Sequence, residues 1–227
     1  MSVACAPSCG LDQLGRRVAA ALERARISPR DRIVVTSGGC ASFVADSIEG
    51  AHHRVPLGRS LPFGLGLASA APSRAIYVFL GDGEAAGVGG NHLIHAARRG
   101  DRIRTLVVNN EVLGGPGGFP SPTTPLGGRT AATPSGSTSP GLDLAALAGT
   151  AGAAWVGREI VSAGESLDAL LEEFATATPF AFLEIVAPCY PAFGRWNGFA
   201  SPEAMREALA ERALAVGRLW PRREALP

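Results

Sequence analysis

Apolar positions along this chain alternate between a helical period and short continuous runs. Leu11, Leu14, Val18, Ala21, Leu22 and Ala25 share one face of a helix expected over residues 11–27. Pro29 closes it, and Ile33-Val34-Val35 then predicts a first strand. Ser37-Gly38-Gly39-Cys40 reads as a loop, and helices are expected over residues 41–48 and about 60–71, the second with its small residues against a neighbour. His52 and His53 fall in the loop between them. Ile76-Tyr77-Val78-Phe79-Leu80 and Arg104-Thr105-Leu106-Val107-Val108 are two further strand-like runs, with a helix predicted over residues 89–99 between them. The remaining pattern predicts a helix over 142–149, a strand over 153–158, a helix over 167–176 and a strand over 180–186 that is apolar on both faces. A closing helix over 201–216 carries Ala204, Leu209, Ala213 and Val216.

Strand and helix alternate throughout, which predicts an α/β, three-layer, doubly wound, mostly parallel sheet with helices on both faces. No repeat or linker divides the chain. Residues 1–227 are therefore expected as a single domain, with a cysteine-bearing N-terminal segment over 1–10 and a helical C-terminal tail over 198–227. The stretch from Gly114 to about Gly141 is rich in Gly, Ser, Thr and Pro, and a connection that long inside a compact domain points to function or disorder.

Charge adds little: 21 Lys plus Arg stand against 20 Asp plus Glu, so no strong field favours a nucleic acid or an anionic membrane. No apolar run approaches the roughly 20 residues of a membrane span, and no charged segment leads into an apolar signal core, so a cytosolic (cytoplasmic) protein is expected. Cys5, Cys9, Cys40 and Cys189 are too few and too scattered for a disulfide scaffold, which leaves metal binding or plain burial.

The candidate chemistry sits at the strand ends. Gly81-Asp82-Gly83 closes one apolar run, and 25 residues later Asn109-Asn110 closes the next. A right-handed crossover puts both ends on one edge of a parallel sheet, outside which ligands of open α/β sheets bind. A diphosphate is commonly held through Mg2+, which wants oxygen ligands at about 2.0–2.1 Å, and Asp82 and Asn110 supply two. The flanking Gly81 and Gly83 let backbone approach phosphate closely, and the Gly-rich helix entry offers free N–H groups. Together these features read as a thiamine diphosphate site.

Further segments extend the pattern. Gly81-Asp82-Gly83-Glu84, Gly89-Gly90-Asn91-His92, His95-Ala96-Ala97-Arg98-Arg99, Asn109-Asn110, Gly117-Gly118 and Ser121-Pro122-Thr123-Thr124-Pro125 closely resemble the β subunit of 2-oxoacid:ferredoxin oxidoreductases, with the 2-oxoglutarate branch nearest. Ser37-Gly38-Gly39-Cys40, Gly58-Arg59-Ser60-Leu61-Pro62 and Pro188-Cys189-Tyr190-Pro191 resemble family segments as well. The resemblance implies a thiamine diphosphate-binding fold in which Asp82, Asn110 and the Val112 carbonyl hold Mg2+. Gly81, Gly83, Gly117 and Gly118 would then surround the diphosphate, and Cys5, Cys9, Cys40 and Cys189 would bind a 4Fe-4S cluster. It further implies an α subunit that carries the pyrimidine-binding module and the activating glutamate. The reaction the resemblance implies is oxidative decarboxylation of a 2-oxoacid to acyl-CoA, with coenzyme A as acceptor and ferredoxin taking the electrons.

Arg59 is a candidate for substrate or cofactor contact or for local folding, and His92 for cofactor contact or a structural hydrogen bond. His95 reads as a packing or capping residue, and Glu84 and Glu111 as groups that tune the local field or hold a loop. Where the family has two residues between its first two cysteines, Cys5 and Cys9 here have three between them, and Leu57, Leu113 and Pro116 replace a His, an aromatic and a Thr. The wider cysteine spacing favours an alternative, a non-oxidative thiamine diphosphate-dependent decarboxylase or carboligase. A third reading, a scaffold without catalysis, sits poorly with the presence of both Asp82 and Asn110.

Overall fold

In a computed structural model, residues 9–220 are described. Seven strands form one sheet in the order β2-β1-β3-β4-β8-β7-β9: β1 Arg32–Thr36, β2 Ala51–Arg54, β3 Ala75–Gly81, β4 Ile103–Asn109, β7 Trp155–Ile160, β8 Ala181–Val186 and β9 Gly217–Trp220. All neighbours are parallel except β7 and β9. The central strands β3, β4 and β8 are buried over almost their whole length, as their two-sided apolar runs require.

Helices cover both faces. On one, α1 (Leu11–Arg24), α2 (Cys40–Ala45) and α6 (Glu165–Thr176) pack over Tyr77, Phe79, Leu106, Leu183 and Ile185. On the other, α3 (Ser60–Ala70), α4 (Gly90–Arg99) and α5 (Leu144–Thr150) cover Val78, Leu80, Val107, Phe180 and Phe182. This is the doubly wound three-layer arrangement that the alternating pattern predicts. None of the described helices is long and apolar enough to cross a membrane.

Three elements depart from the sequence expectation. His52 and His53 lie in the edge strand β2, where backbone pairing to β1 replaces the apolar burial that usually marks a strand. The C-terminal segment is not helical throughout: α7 (Pro202–Glu211) ends where Arg212 turns extended (ψ 132°), and β9 follows as an antiparallel edge strand. Gly217 enters β9 at φ 87°, and Leu219 and Trp220 pack against the core, which is worth more than continuing the helix. Residues 84–88 ahead of α4 form a π-helical turn in which Gly89 N donates to Glu84 O at 2.8 Å. A Cβ on Gly89 would stand 2.7 Å from that same oxygen, so glycine is what lets this turn close. The stretch after β4 contains a small hairpin, β5 (Val112–Leu113) with β6 (Phe119–Pro120), and is otherwise irregular. It is nonetheless tied down, by Gly127 N to Ser137 O, Ser137 N to Gly128 O and Leu142 N to Pro122 O, each at 2.8 Å.

Candidate active site

The chain reverses its strand order between β1 and β3, and the carboxyl ends of β1, β3 and β4 frame a crevice there. A cavity of about 210 Å³ opens at this edge. Its walls come from the Ser37–Cys40 loop, from Gly81-Asp82-Gly83 after β3, from Asn110 and Val112 after β4, and from Gly114-Gly115-Pro116. Leu57, Val88 and Leu113 supply its apolar rim.

Two buried polar side chains stand on this wall. Asn110 Oδ1 is buried with no hydrogen-bond donor, a cost the fold does not offset internally, while its Nδ2 donates toward Cys40 Sγ at 3.4 Å. Asp82 is 3% exposed, and burial pushes its carboxyl up to about 6, against hydrogen bonds from Thr123 and Ser121 and from the Gly83 backbone that favour the anion. A buried carboxylate and an orphaned amide oxygen on one wall are the hard oxygen donors that a divalent cation takes. Beside them a Cβ on Gly81 or Gly115 would meet nothing within 4 Å, so both positions border open space of the kind a phosphate group fills. The residues present fit a metal-bound diphosphate.

Glu84 holds the cavity's outer loops. It is buried, accepts from Gly58 N and Ser60 Oγ at 2.9 Å each, and also accepts from Ser37 Oγ. One carboxylate thus fastens the loops after β1 and before α3 to the turn that carries Asp82, as expected of a loop-holding residue. Glu111 pairs with Arg212, and burial pushes its carboxyl up while the Arg212 charge opposes that.

Other expected residues stand apart from this cavity. Gly117 and Gly118 sit farther along the hairpin loop, at φ 107° and 96°, and do not line it. Arg59 is exposed at the start of α3 and donates to Gly58 O at 3.2 Å. His92 lies outside the lining too, its pKa lowered by desolvation and by the charges of Arg59 and His95.

Of the four cysteines, Cys5 lies outside the described residues. Of the three that are described, Cys40 lines the cavity, and burial pushes the Cys189 thiol up to about 11, with the charges of Cys40, Cys9 and Asp82 adding to the shift. Among the described residues no three Cys, His, Asp or Glu side chains are grouped so as to hold a single metal ion.

Sequence reasoning missed a buried polar network behind the cavity. Thr123 Oγ1 donates to Asp82 Oδ2 at 2.7 Å and reaches Asn109 Oδ1 at 3.0 Å. Asn109 Nδ2 donates to Glu184 Oε1 at 2.6 Å, and Arg158 Nε donates to Glu184 Oε2 at 2.8 Å. Its one visible signal in the sequence is a lone charge, Glu184, inside the apolar run Ala181–Val186.

Comparison with known proteins agrees with this geometry. Residues 39–185 match the family described as thiamine pyrophosphate enzyme, C-terminal TPP binding domain. The chain is 34% identical to the 2-oxoglutarate synthase subunit KorB of Methanocaldococcus jannaschii, over 87% of this chain and 73% of that one. It is 35% identical to the 2-oxoglutarate oxidoreductase subunit KorB of Mycobacterium tuberculosis, over 82% of this chain but only 49% of that one. A solved 2-oxoglutarate:ferredoxin oxidoreductase from Magnetococcus marinus superimposes with a TM-score of 0.83 at 21% identity, covering 100% of this chain and 84% of its own, which establishes the shared fold. On this family match and relatives of this closeness, the chain belongs to the thiamine pyrophosphate-binding β subunits of the 2-oxoacid:ferredoxin oxidoreductase family.

Proposed function

We propose that this chain binds thiamine diphosphate through Mg2+ and, with an α subunit, oxidatively decarboxylates a 2-oxoacid to acyl-CoA while passing electrons to ferredoxin. The observation that carries the proposal is the buried, unpartnered Asn110 Oδ1 on the same wall as the buried Asp82. These two side chains would ligate the metal, with the Val112 carbonyl as a third donor. Gly81 and Gly115 leave room for the phosphates, while Leu57, Val88 and Leu113 make the mouth apolar, so that a covering α subunit would exclude water there. Thiamine diphosphate, when bound, supplies the nucleophilic carbon and the electron sink. The two carboxylates lining this cavity have other duties, Asp82 toward the metal and Glu84 toward the loops it fastens, so the acid that activates the aminopyrimidine falls to the α subunit. The solved relative from Magnetococcus marinus was captured with 2-oxoglutarate, coenzyme A and succinyl-CoA bound, which supports the acyl-CoA product class.

Cys9, Cys40 and Cys189, with Cys5, would hold the 4Fe-4S cluster that carries the electrons. Cys40 on the cavity wall, with Cys9 and Cys40 close enough to Cys189 for their charges to act on its titration, supports this assignment. The four-residue step from Cys5 to Cys9 instead favours a non-oxidative decarboxylase or carboligase. Iron and acid-labile sulfide in the anaerobically purified complex with its α subunit separate the two. About four of each per chain, together with coenzyme A-dependent ferredoxin reduction by a 2-oxoacid, is the expected result. Thiamine diphosphate binding without iron would move the assignment to the non-oxidative reaction.

A further inference from the structure

Glu184 sits in the middle of a strand buried at every position and is itself 1% exposed. An ionised side chain there is costly unless fully paired. Asn109, Glu184 and Arg158 belong to three adjacent strands, β4, β8 and β7, and Arg158 and Glu184 are register partners. Arg158 donates to Glu184 Oε2 and, from its other nitrogen, to Asp143, the N-cap of α5. That leaves Glu184 Oε1 to accept from Asn109 Nδ2.

This last bond decides which way the Asn109 amide faces. With Nδ2 committed to a carboxylate, Oδ1 must point the other way, where it accepts from Glu111 N at 3.1 Å and meets the Thr123 hydroxyl at 3.0 Å. A flipped amide would set its NH2 against the Glu111 N–H and against Glu184 nothing but oxygen on oxygen. The Glu111 contact closes a turn across Asn110, with Glu111 at φ 60°, a conformation a non-glycine residue holds only when its surroundings fix it. Thr124 Oγ1 locks the same turn by donating to Glu111 O at 2.6 Å. On the other branch, Thr123 orients Asp82 Oδ2.

We propose that Glu184 is a positioning residue for the metal–diphosphate site: through the Asn109 amide it sets the orientation of the candidate ligand Asn110 by the turn at Glu111, while Thr123 orients Asp82 by its own hydrogen bond. The inference rests on the reading of Asp82 and Asn110 as metal ligands and adds to it a residue on a strand outside the crevice. Partners that orient metal ligands are worth about 10–100-fold in metal affinity.

The test uses the full chain co-purified with its partner subunit. The half-saturating Mg2+ concentration for thiamine diphosphate binding is measured by equilibrium dialysis, with the urea unfolding midpoint as a separate readout. Glu184→Gln keeps the shape but cannot serve both Arg158 and Asn109 as an acceptor, and it raises that Mg2+ concentration about tenfold. Thr123→Val gives a shift of the same kind, and Thr123→Ser, which restores the hydroxyl, returns it toward the native value. A change in the urea midpoint with no change in Mg2+ dependence would make Glu184 merely structural and overturn the inference. If Glu184→Gln fails to fold, Asn109→Ala, which removes the amide that joins Glu184 to the Glu111 turn, decides: an unshifted Mg2+ requirement overturns it equally. Native protein that shows no Mg2+-dependent binding of thiamine diphosphate removes the metal-ligand reading itself, and this inference with it.

Discussion

Gly83 and Leu113 meet across the cofactor cavity so closely that a Cβ on Gly83 would stand 2.0 Å from Cδ2 of Leu113. Both residues line the cavity, so any side chain at 83 forces Leu113 to shift and reshapes the cavity wall. Gly83→Ala is expected to weaken thiamine diphosphate binding by about tenfold while costing about 1–3 kcal/mol of stability, the range for overpacking. Because the clash involves the far end of a flexible side chain, Leu113→Ala in the same chain should recover most of the affinity. Titration of both variants by intrinsic tryptophan fluorescence checks the pair. Loss that persists in the double variant would mean that Gly83 matters through its backbone instead.

Arg158 and Glu184 have side chains only 7% and 2% exposed, and removing one leaves the other charged and buried. Arg158→Met is expected to cost about 3–5 kcal/mol, read as a lower urea midpoint. Replacing both, as Arg158→Met with Glu184→Met, should return much of that stability, because a well-packed apolar pair avoids the desolvation cost. The double variant separates stability from positioning: it is expected to fold well and still bind Mg2+ poorly.

The parts of this site that are legible in the sequence are those whose partners are local. Gly81-Asp82-Gly83 and Asn109-Asn110 each end an apolar run, so the crossover rule alone brings them together. Thr123 to Asp82 and Asn109 to Glu184 are contacts 41 and 75 residues apart, and no periodicity encodes them. A charge inside the run Ala181–Val186 marks a residue with a buried partner, but not which one. Similarly, β2 (Ala51-His52-His53-Arg54) and β9 (Gly217-Arg218-Leu219-Trp220) are four-residue edge strands, too short for a periodicity and paired on one side only. Arg59 and His92 match family segments yet stand off the cavity, since sequence places a residue on an element without fixing where its side chain points.

Arg17 on α1 clamps the entry to α6, donating to Asp168 at 2.8 Å and to the carbonyls of Ala163 and Gly164. The Arg17 hydrogen bond, more than its charge, holds the Asp168 carboxyl below its ordinary value of 3.8. A carboxyl whose folded pKa is depressed contributes stability above its unfolded pKa and loses it as pH falls through the folded one. Native protein should therefore exceed Asp168→Asn in stability by about 0.5 kcal/mol at neutral pH, a partly exposed pair being worth no more than about 1. The difference should be full above about pH 4 and shrink as pH falls on through the depressed folded pKa. Urea melts of both proteins from pH 3 to 7 check it, and a difference that stays constant with pH would remove the ion pair as its cause.

The cavity's rim is unfinished within this chain. Leu57 and Val88 line it, yet are 64% and 56% exposed, and apolar groups at a cofactor mouth exclude water only when something covers them. An α subunit seated there would bury them and bring the group that activates the aminopyrimidine. The chain alone, supplied with thiamine diphosphate and Mg2+, is accordingly expected to bind the cofactor and to release no CO2 from 2-oxoacids above background, with turnover appearing only on addition of the partner. Val88→Glu, which puts a charge into that contact, should weaken subunit association by about tenfold or more, the loss that truncating a central interface residue commonly brings. Sedimentation velocity over a dilution series measures the association, and dialysis of the separate chain shows whether cofactor binding survives. Ordinary turnover by the chain alone would show that every catalytic group lies within it.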